Sequence, residues 1–287
     1  MFTNKNGFVS FVLFLCAFVK KEAGIRIIPA LHRFFAPSLD PGDEAVTLPR
    51  EEGEHLTRVL RMGVGDTVSV FDGRGHEFSA RVVAVERRDV RVQLVTRIEP
   101  AAEPTVAITL AQAVIKGDKM DDIVRDAVML GVAAVQPLVT TRTELTVAAL
   151  TNGNRLDRWR RVALASVKQS KRAVLPDVRR PLTLEAFLSD PPTALRVMLV
   201  EPGAGGAGGA GEAGAPGDPE PLSALQAQPI PQDATIFVGP EGGWTEKEVA
   251  SARENGVRLI TLGHRTLRAD ATPVAAISVL QFLFGDL

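Results

Sequence analysis

The feature that most restricts how this chain folds is a change of rhythm at residues 100–104, a short stretch rich in Ala and Pro. Before it, apolar residues come in short alternating runs. Residues 67–71 run toward Asp72-Gly73-Arg74-Gly75, residues 77–86 run toward Arg87-Arg88-Asp89, and residues 90–95 follow. That is the pattern of hairpins in a small β-barrel. One amphipathic helix interrupts it at about 51–60, with Leu56, Val59 and Leu60 at helical spacing. Beyond Pro104 the segments alternate strand with helix. Strands are predicted at 106–114, 134–139, 196–201, 235–238 and 257–262. Helices are predicted from Asp118 to Gly131, over 155–172, from Thr245, and over 272–284. Alternation of this kind argues for a parallel sheet covered by helices. At 287 residues the chain exceeds the ~250 that one core usually sustains. We therefore expect an α/β protein with an extra segment over 1–30, a small β-barrel domain over 31–100 and a second domain over 104–287.

Composition removes several classes of chemistry. A single cysteine, Cys16, rules out an intramolecular disulfide framework, and four scattered histidines give no zinc-ligand spacing. No metal is expected. The apolar run at 8–19 falls short of the ~20 residues a membrane helix needs, and Lys20 and Lys21 follow it, on the wrong side for a signal peptide. No methionine stands between Met1 and Met62. These points predict a native start near Leu31, no membrane association and a cytoplasmic location. Residues 203–221 are nearly all Gly, Ala, Pro and acid, too poor in apolar surface to order themselves, and are expected to form a disordered surface insertion. Gly203-Ala204-Gly205-Gly206-Ala207-Gly208 matches a dinucleotide fingerprint, but that motif must open a helix. Here the glycines continue into Pro216, Pro219 and Pro221, which argues against a nicotinamide site.

Net charge is −1, yet its distribution is uneven: residues 155–180 hold nine Arg and Lys against Asp157 and Asp177. Such density is the footprint of phosphate contact. With the predicted helix at 155–172 it points to RNA binding through Arg158, Arg161, Lys168 and Arg172. Two loops carry the strongest signal for a small ligand. Gly239-Pro240-Glu241-Gly242-Gly243-Trp244 follows a strand at once and leads into Thr245 and Glu248, a capping box that opens a helix. Leu262-Gly263-His264-Arg265-Thr266-Leu267-Arg268 repeats the plan after the next strand. With Glu201-Pro202 after a third strand, these loops should share one pocket at the carboxyl ends of the strands, where open α/β sheets bind ligands.

At these residues the chain resembles the RsmE-type family of small-subunit rRNA uridine N3-methyltransferases, in the SPOUT superfamily. The likeness is carried by Gly239 to Gly243, Leu262-Gly263 and Leu267-Arg268. It continues through Arg33-Phe34-Phe35, His55 with Val59-Leu60-Arg61, Lys119-Met120-Asp121, Leu130-Gly131-Val132, Arg158-Trp159 and Gln169-Ser170-Lys171-Arg172. The resemblance implies a PUA-like RNA-binding barrel followed by a SPOUT-type α/β trefoil-knot domain, S-adenosyl-L-methionine (SAM) as cofactor and a homodimer. The implied substrate is 16S rRNA or the assembled small ribosomal subunit. It implies cofactor contacts at Leu199, Glu201, Gly239, Pro240, Glu241, Gly242, Gly243, Leu262, Gly263, Leu267 and Arg268. RNA contacts extend to Arg33, His55, Arg61 and Gln169. For the chemistry, Arg268 and then Arg172 are the candidate cations beside the base; Glu241 is a candidate general base, with a structural place in the turn as the alternative reading. The chain departs from the family pattern at Met129 and Ala165, where a Glu is common, and at Asp270-Ala271-Thr272. The last change leaves open a second reading, a knotted RNA-binding protein without activity.

Overall fold

The structure is a computed structural model and describes residues 31–86, 89–202 and 219–287. The extra segment at 1–30 and most of the Gly/Pro-rich insertion lie outside the described residues.

Two sheets with separate cores follow the two rhythms of the sequence. The first contains β1 (Arg33–Phe35), β2 (Ala45–Thr47), β3 (Thr67–Phe71), β4 (Glu77–Glu86) and β5 (Asp89–Ile98) in the order β1-β3-β4-β5-β2. The pairs β3–β4, β4–β5 and β5–β2 are antiparallel, and β1 lies parallel to β3. Phe34, Leu56, Val68, Val70 and Val92 fill its core. The helix predicted at 51–60 is split: α1 (Arg50–Glu54) runs directly into a single π-turn over His55–Val59. Val59, read as an inward position, is 65% exposed because the wider turn rotates it outward.

The second sheet is parallel throughout. Its strands are β6 (Ala107–Ala113), β7 (Ala134–Val139), β8 (Asp177–Val178), β9 (Leu182–Thr183), β10 (Leu195–Leu199), β11 (Glu220–Pro221), β12 (Asp233–Val238) and β13 (Arg258–Thr261). They are ordered β11-β13-β10-β12-β6-β7-β8, with β9 also on β7. The helices are α2 (Lys119–Met129), α3 (Val147–Asn152), α4 (Arg155–Ser170), α5 (Leu184–Leu188), α6 (Glu246–Glu254) and α7 (Thr272–Phe284). Helix α4 buries Leu156, Trp159, Ala163 and Val167, as its periodicity requires. Asp118 precedes α2 without capping it through its side chain, because its carboxylate accepts a hydrogen bond from Arg158 instead. Glu220 and Pro221, assigned from composition to the insertion, are paired in the sheet, where Glu220 holds Arg258 in a salt bridge at 2.6 Å.

The C-terminus of α4 joins the two sheets. Every helix ends with carbonyls that lack an intrahelical partner. Here Arg33 supplies donors to three carbonyls at and beyond that end, those of Val167, Lys168 and Arg172, while its other face binds Glu77. Lys168 pairs with Glu52 of α1. The segment after α4 then bridges to the Gly73 turn, with Leu175 N–H donating to the Gly73 carbonyl and Gly75 N–H to that of Ala173.

Candidate active site

Strands β10, β12 and β13 lie side by side and parallel, so the loops at their carboxyl ends must gather on one edge of the sheet. They enclose a cavity of about 300 Å³. Its walls include Leu199, Glu201, Gly239, Pro240, Glu241, Gly242, Gly243, Leu262 and Leu267. The sequence singled out all of these, and the fold brings them together. Gly263 and Arg268 do not line it. Arg142 and Val249, outside the loops that the sequence singled out, line it too.

The glycine loop has two separate constraints. Gly243 has φ +68°, a left-handed conformation that side chains resist, and its N–H closes a turn onto the Pro240 carbonyl at 2.9 Å. Gly239 and Gly242 have no such angle. Their constraint is space: a Cβ on Gly239 would stand 3.2 Å from the Trp244 ring, and one on Gly242 3.1 Å from Cδ of Arg142. The left-handed bend of this loop therefore sits at Gly243, one residue after Gly242. Trp244 is fixed by its indole N–H donating to the Leu199 carbonyl at 2.9 Å, which ties the β12 loop to the end of β10.

Helix α6 begins as predicted, with Thr245 capping Glu248 N–H while the Glu248 carboxylate accepts from Thr245 N–H. The same carboxylate also accepts from Thr141 N–H at 2.8 Å. Burial alone would raise the pKa of Glu248, but the hydrogen bonds from Thr245 and Thr141 outweigh it and hold the carboxyl below its ordinary value. That anchor brings the β7 loop, and with it Arg142, to the cavity, where the Arg142 guanidinium donates to the carbonyls of Gly242 and Trp244. Glu241 accepts from the Lys116 backbone N–H at 3.0 Å, linking the loop after β6 as well.

The two arginines proposed from sequence as cations beside the reacting base are elsewhere. Arg268 is 74% exposed and forms a two-pronged pair with Asp270, which holds the Asp270 carboxyl below its usual range. Arg172 is 4% exposed, bonded to Glu103 and to the carbonyls of Val128 and Val132. Its donors are spent inside the fold, which removes it both as a pocket cation and as an RNA contact. Arg33 is corrected for the same reason. Of the remaining RNA candidates, Arg158 is held by Asp118 and Asp121 and Lys168 by Glu52. The others, His55, Arg61, Arg161 and Gln169, are exposed. Among the described residues no group of three or more His, Cys, Asp or Glu side chains is placed to hold a metal, and no helix is long and apolar enough to cross a membrane.

Comparison with known proteins places this geometry in a family. Residues 102–281 match the RNA methyltransferase domain and residues 48–95 the RNA methyltransferase PUA domain. A curated relative, ribosomal RNA small subunit methyltransferase E of Synechocystis, is 32% identical over 242 residues, covering 84% of this chain and 74% of its own. The crystal structure of ribosomal RNA small subunit methyltransferase E from Neisseria gonorrhoeae bound to S-adenosyl methionine superposes with a TM-score of 0.74 at 30% identity, covering 90% of this chain and 99% of that one. A putative methyltransferase from Legionella pneumophila, solved with SAM, gives 0.75 at 27%, covering 88% and 97%. An α/β chain with a parallel-sheet domain, a strand-end glycine pocket and a preceding PUA domain, it belongs to the ribosomal RNA small subunit methyltransferase E family of RNA methyltransferases.

Proposed function

We propose that this protein transfers a methyl group from SAM to N3 of a uridine in 16S ribosomal RNA. The observation that carries this reading is the single cavity shared by three parallel strand ends, in a chain of this family. The cavity suits the cofactor. Leu199, Val238, Leu262 and Leu267 offer an apolar wall for the adenine ring, the bare backbone at Gly239 to Gly243 allows close approach, and Glu201 and Glu241 suit the ribose hydroxyls and the sulfonium charge. When bound, SAM supplies an electrophilic methyl group.

The protein must then make N3 nucleophilic. That N–H is about as weak an acid as a tyrosine hydroxyl, with pKa ~10, so its conjugate anion needs a cation beside it. With Arg268 and Arg172 engaged elsewhere, Arg142 takes this role, a guanidinium on the cavity wall fixed by two carbonyls. Much of the remaining acceleration comes from alignment of base and methyl group.

The same reading carries a C-terminal trefoil knot, a homodimer, the domain limits 31–100 and 104–287, a cytoplasmic location and the assembled small subunit as an alternative to free rRNA. Its test uses isolated small subunits that lack the modification, incubated with labelled SAM, followed by mass mapping of the methylated nucleotide. N3-methyluridine at one position is the expected product. Labelling of another base, or none, would refute it.

A further inference from the structure

Next to the cofactor cavity lies a smaller cleft of about 80 Å³, formed by the end of β6 from Val114 to Gly117, the loop from Arg142 to Leu145, Arg155 at the start of α4, and Glu241. Arg142 and Glu241 line both spaces, so the two are contiguous at these side chains. Val114 and Ile115 are buried and give the cleft an apolar side suited to the face of a flat ring.

Its polar groups are unusually free. One oxygen of Glu241 is fixed by the Lys116 N–H, while the other has no partner among the described residues. Arg142 uses Nη1 on the glycine loop, leaving Nε and Nη2 without acceptors among the described residues. Arg155 forms no hydrogen bond or ion pair among them, although the nearby Arg158 and Arg160 are both paired with acids. The Lys116 ammonium is taken by Glu144 at 2.6 Å. What remains, apart from the second oxygen of the exposed Glu144, is one oxygen of Glu241 and two guanidinium groups on a space that opens onto the cofactor cavity.

We propose that this cleft receives the target base, and that Glu241 with Arg142 and Arg155 recognises the uracil edge. The inference rests on the methyltransferase reading above. Uracil presents two carbonyl acceptors flanking the N3–H donor. The cleft offers the complement, a carboxylate for the N–H and a guanidinium for each carbonyl. Cytosine would turn a lone pair toward the carboxylate and an amino group toward one guanidinium, leaving those groups unpaired, which is how a polar site rejects an analogue. Because the cleft sits beside a strand-end loop, the nucleotide must leave its stack to enter it. In the reaction the N3–H bond breaks and its proton passes to Glu241. N3 forms the bond to the methyl carbon as the carbon–sulfur bond breaks, and that electron pair stays on the neutral thioether product. Arg142 and Arg155 stabilise the charge that develops on the carbonyl oxygens.

The test uses the full chain, small subunits lacking the modification, labelled SAM, and N3-methyluridine quantified by mass spectrometry, with SAM affinity measured by calorimetry. Arg155→Ala should lower kcat/KM by about 10²-fold with SAM affinity unchanged, and Arg155→Lys should recover part of the loss. Glu241→Gln should lower kcat at saturating SAM by about 10²-fold or more, beyond any change in SAM affinity, since Glu241 also lines the cofactor cavity. Wild-type kcat/KM in Arg155→Ala, or a Glu241→Gln defect fully accounted for by lost SAM affinity, would overturn the cleft while leaving the enzyme's function standing. A wild-type protein that binds SAM yet forms no N3-methyluridine would overturn both.

Discussion

Gly243 and Arg172 show how differently single residues constrain this molecule. Gly243 is held at φ +68° at the cavity wall. Alanine there should cost about 1–2 kcal/mol of stability from the left-handed backbone alone and weaken SAM binding in calorimetry, since relieving the strain moves the loop. Unchanged affinity would mean the loop is not the cofactor cradle. Arg172 is the opposite case, a charge buried against Glu103 and two carbonyls, far in role from the cavity. Removing one member of a buried pair typically costs 3–5 kcal/mol. Because Glu103 is 31% exposed, Arg172→Ala is expected near the lower figure, about 3 kcal/mol, by chemical denaturation. SAM affinity should be intact. The motif around Arg172 was legible in the sequence, but whether its guanidinium faced solvent, base or carbonyl was not, since Glu103 and Val128 lie 69 and 44 positions away.

At the scale of elements, the capping box of α6 was readable from Thr245 and Glu248 because cap geometry is set within four consecutive residues. The third bond to Glu248, from Thr141 N–H, depends on β7 arriving beside it. Together these bonds depress the folded-state pKa of Glu248 from its ordinary 4.5. A group with a lowered folded pKa stabilises the fold fully above its unfolded value, and that contribution is lost as pH falls through the folded value. Glu248→Gln should therefore flatten the pH dependence of stability below about pH 4.5 while also lowering stability at neutral pH. Parallel melting curves for the two proteins between pH 3 and pH 7 would check it, and identical slopes would exclude Glu248 as a contributor. The π-turn after α1 belongs at this scale too. Its one-residue widening turned Val59 outward, against a spacing that assumed a regular helix.

For the whole molecule, Arg33 is the joint: one side chain bonds Glu77 of the first sheet and three carbonyls at the end of α4 in the second domain. Arg33→Ala should uncouple the two, so that a single denaturation transition splits into two, and kcat/KM on small subunits should fall more than SAM affinity. One unsplit transition with native activity would count against the joint. The proposed homodimer needs an apolar face. Ile277, Leu280 and Phe284 of α7 are buried in the chain's own core, whereas Phe282 is 67% exposed and Val279 39%. Phe282→Asp is accordingly expected to shift the mass measured by light scattering at micromolar concentration from dimer to monomer. A wild-type monomer would refute the dimer itself.

The sequence by itself determined the features that depend on neighbours along the chain. These are the switch from hairpins to strand–helix alternation, the inward stripe of α4, the α6 cap and the glycine loops that must cluster once their strands are parallel. Periodicity and backbone conformation are local, so they can be read locally. Only the tertiary structure decided where the charges went. The basic run from 155 to 180 looked like an open phosphate surface, yet Glu52, Glu103, Asp118 and Asp121 come from other elements to neutralise much of it. It also decided which arginine lines the cavity, delivering Arg142 from a loop with no motif of its own while leaving Arg268 outside. Ion pairs and pocket walls join residues far apart in sequence. Their partners are fixed by strand order and by which chain ends meet, and no local pattern encodes that.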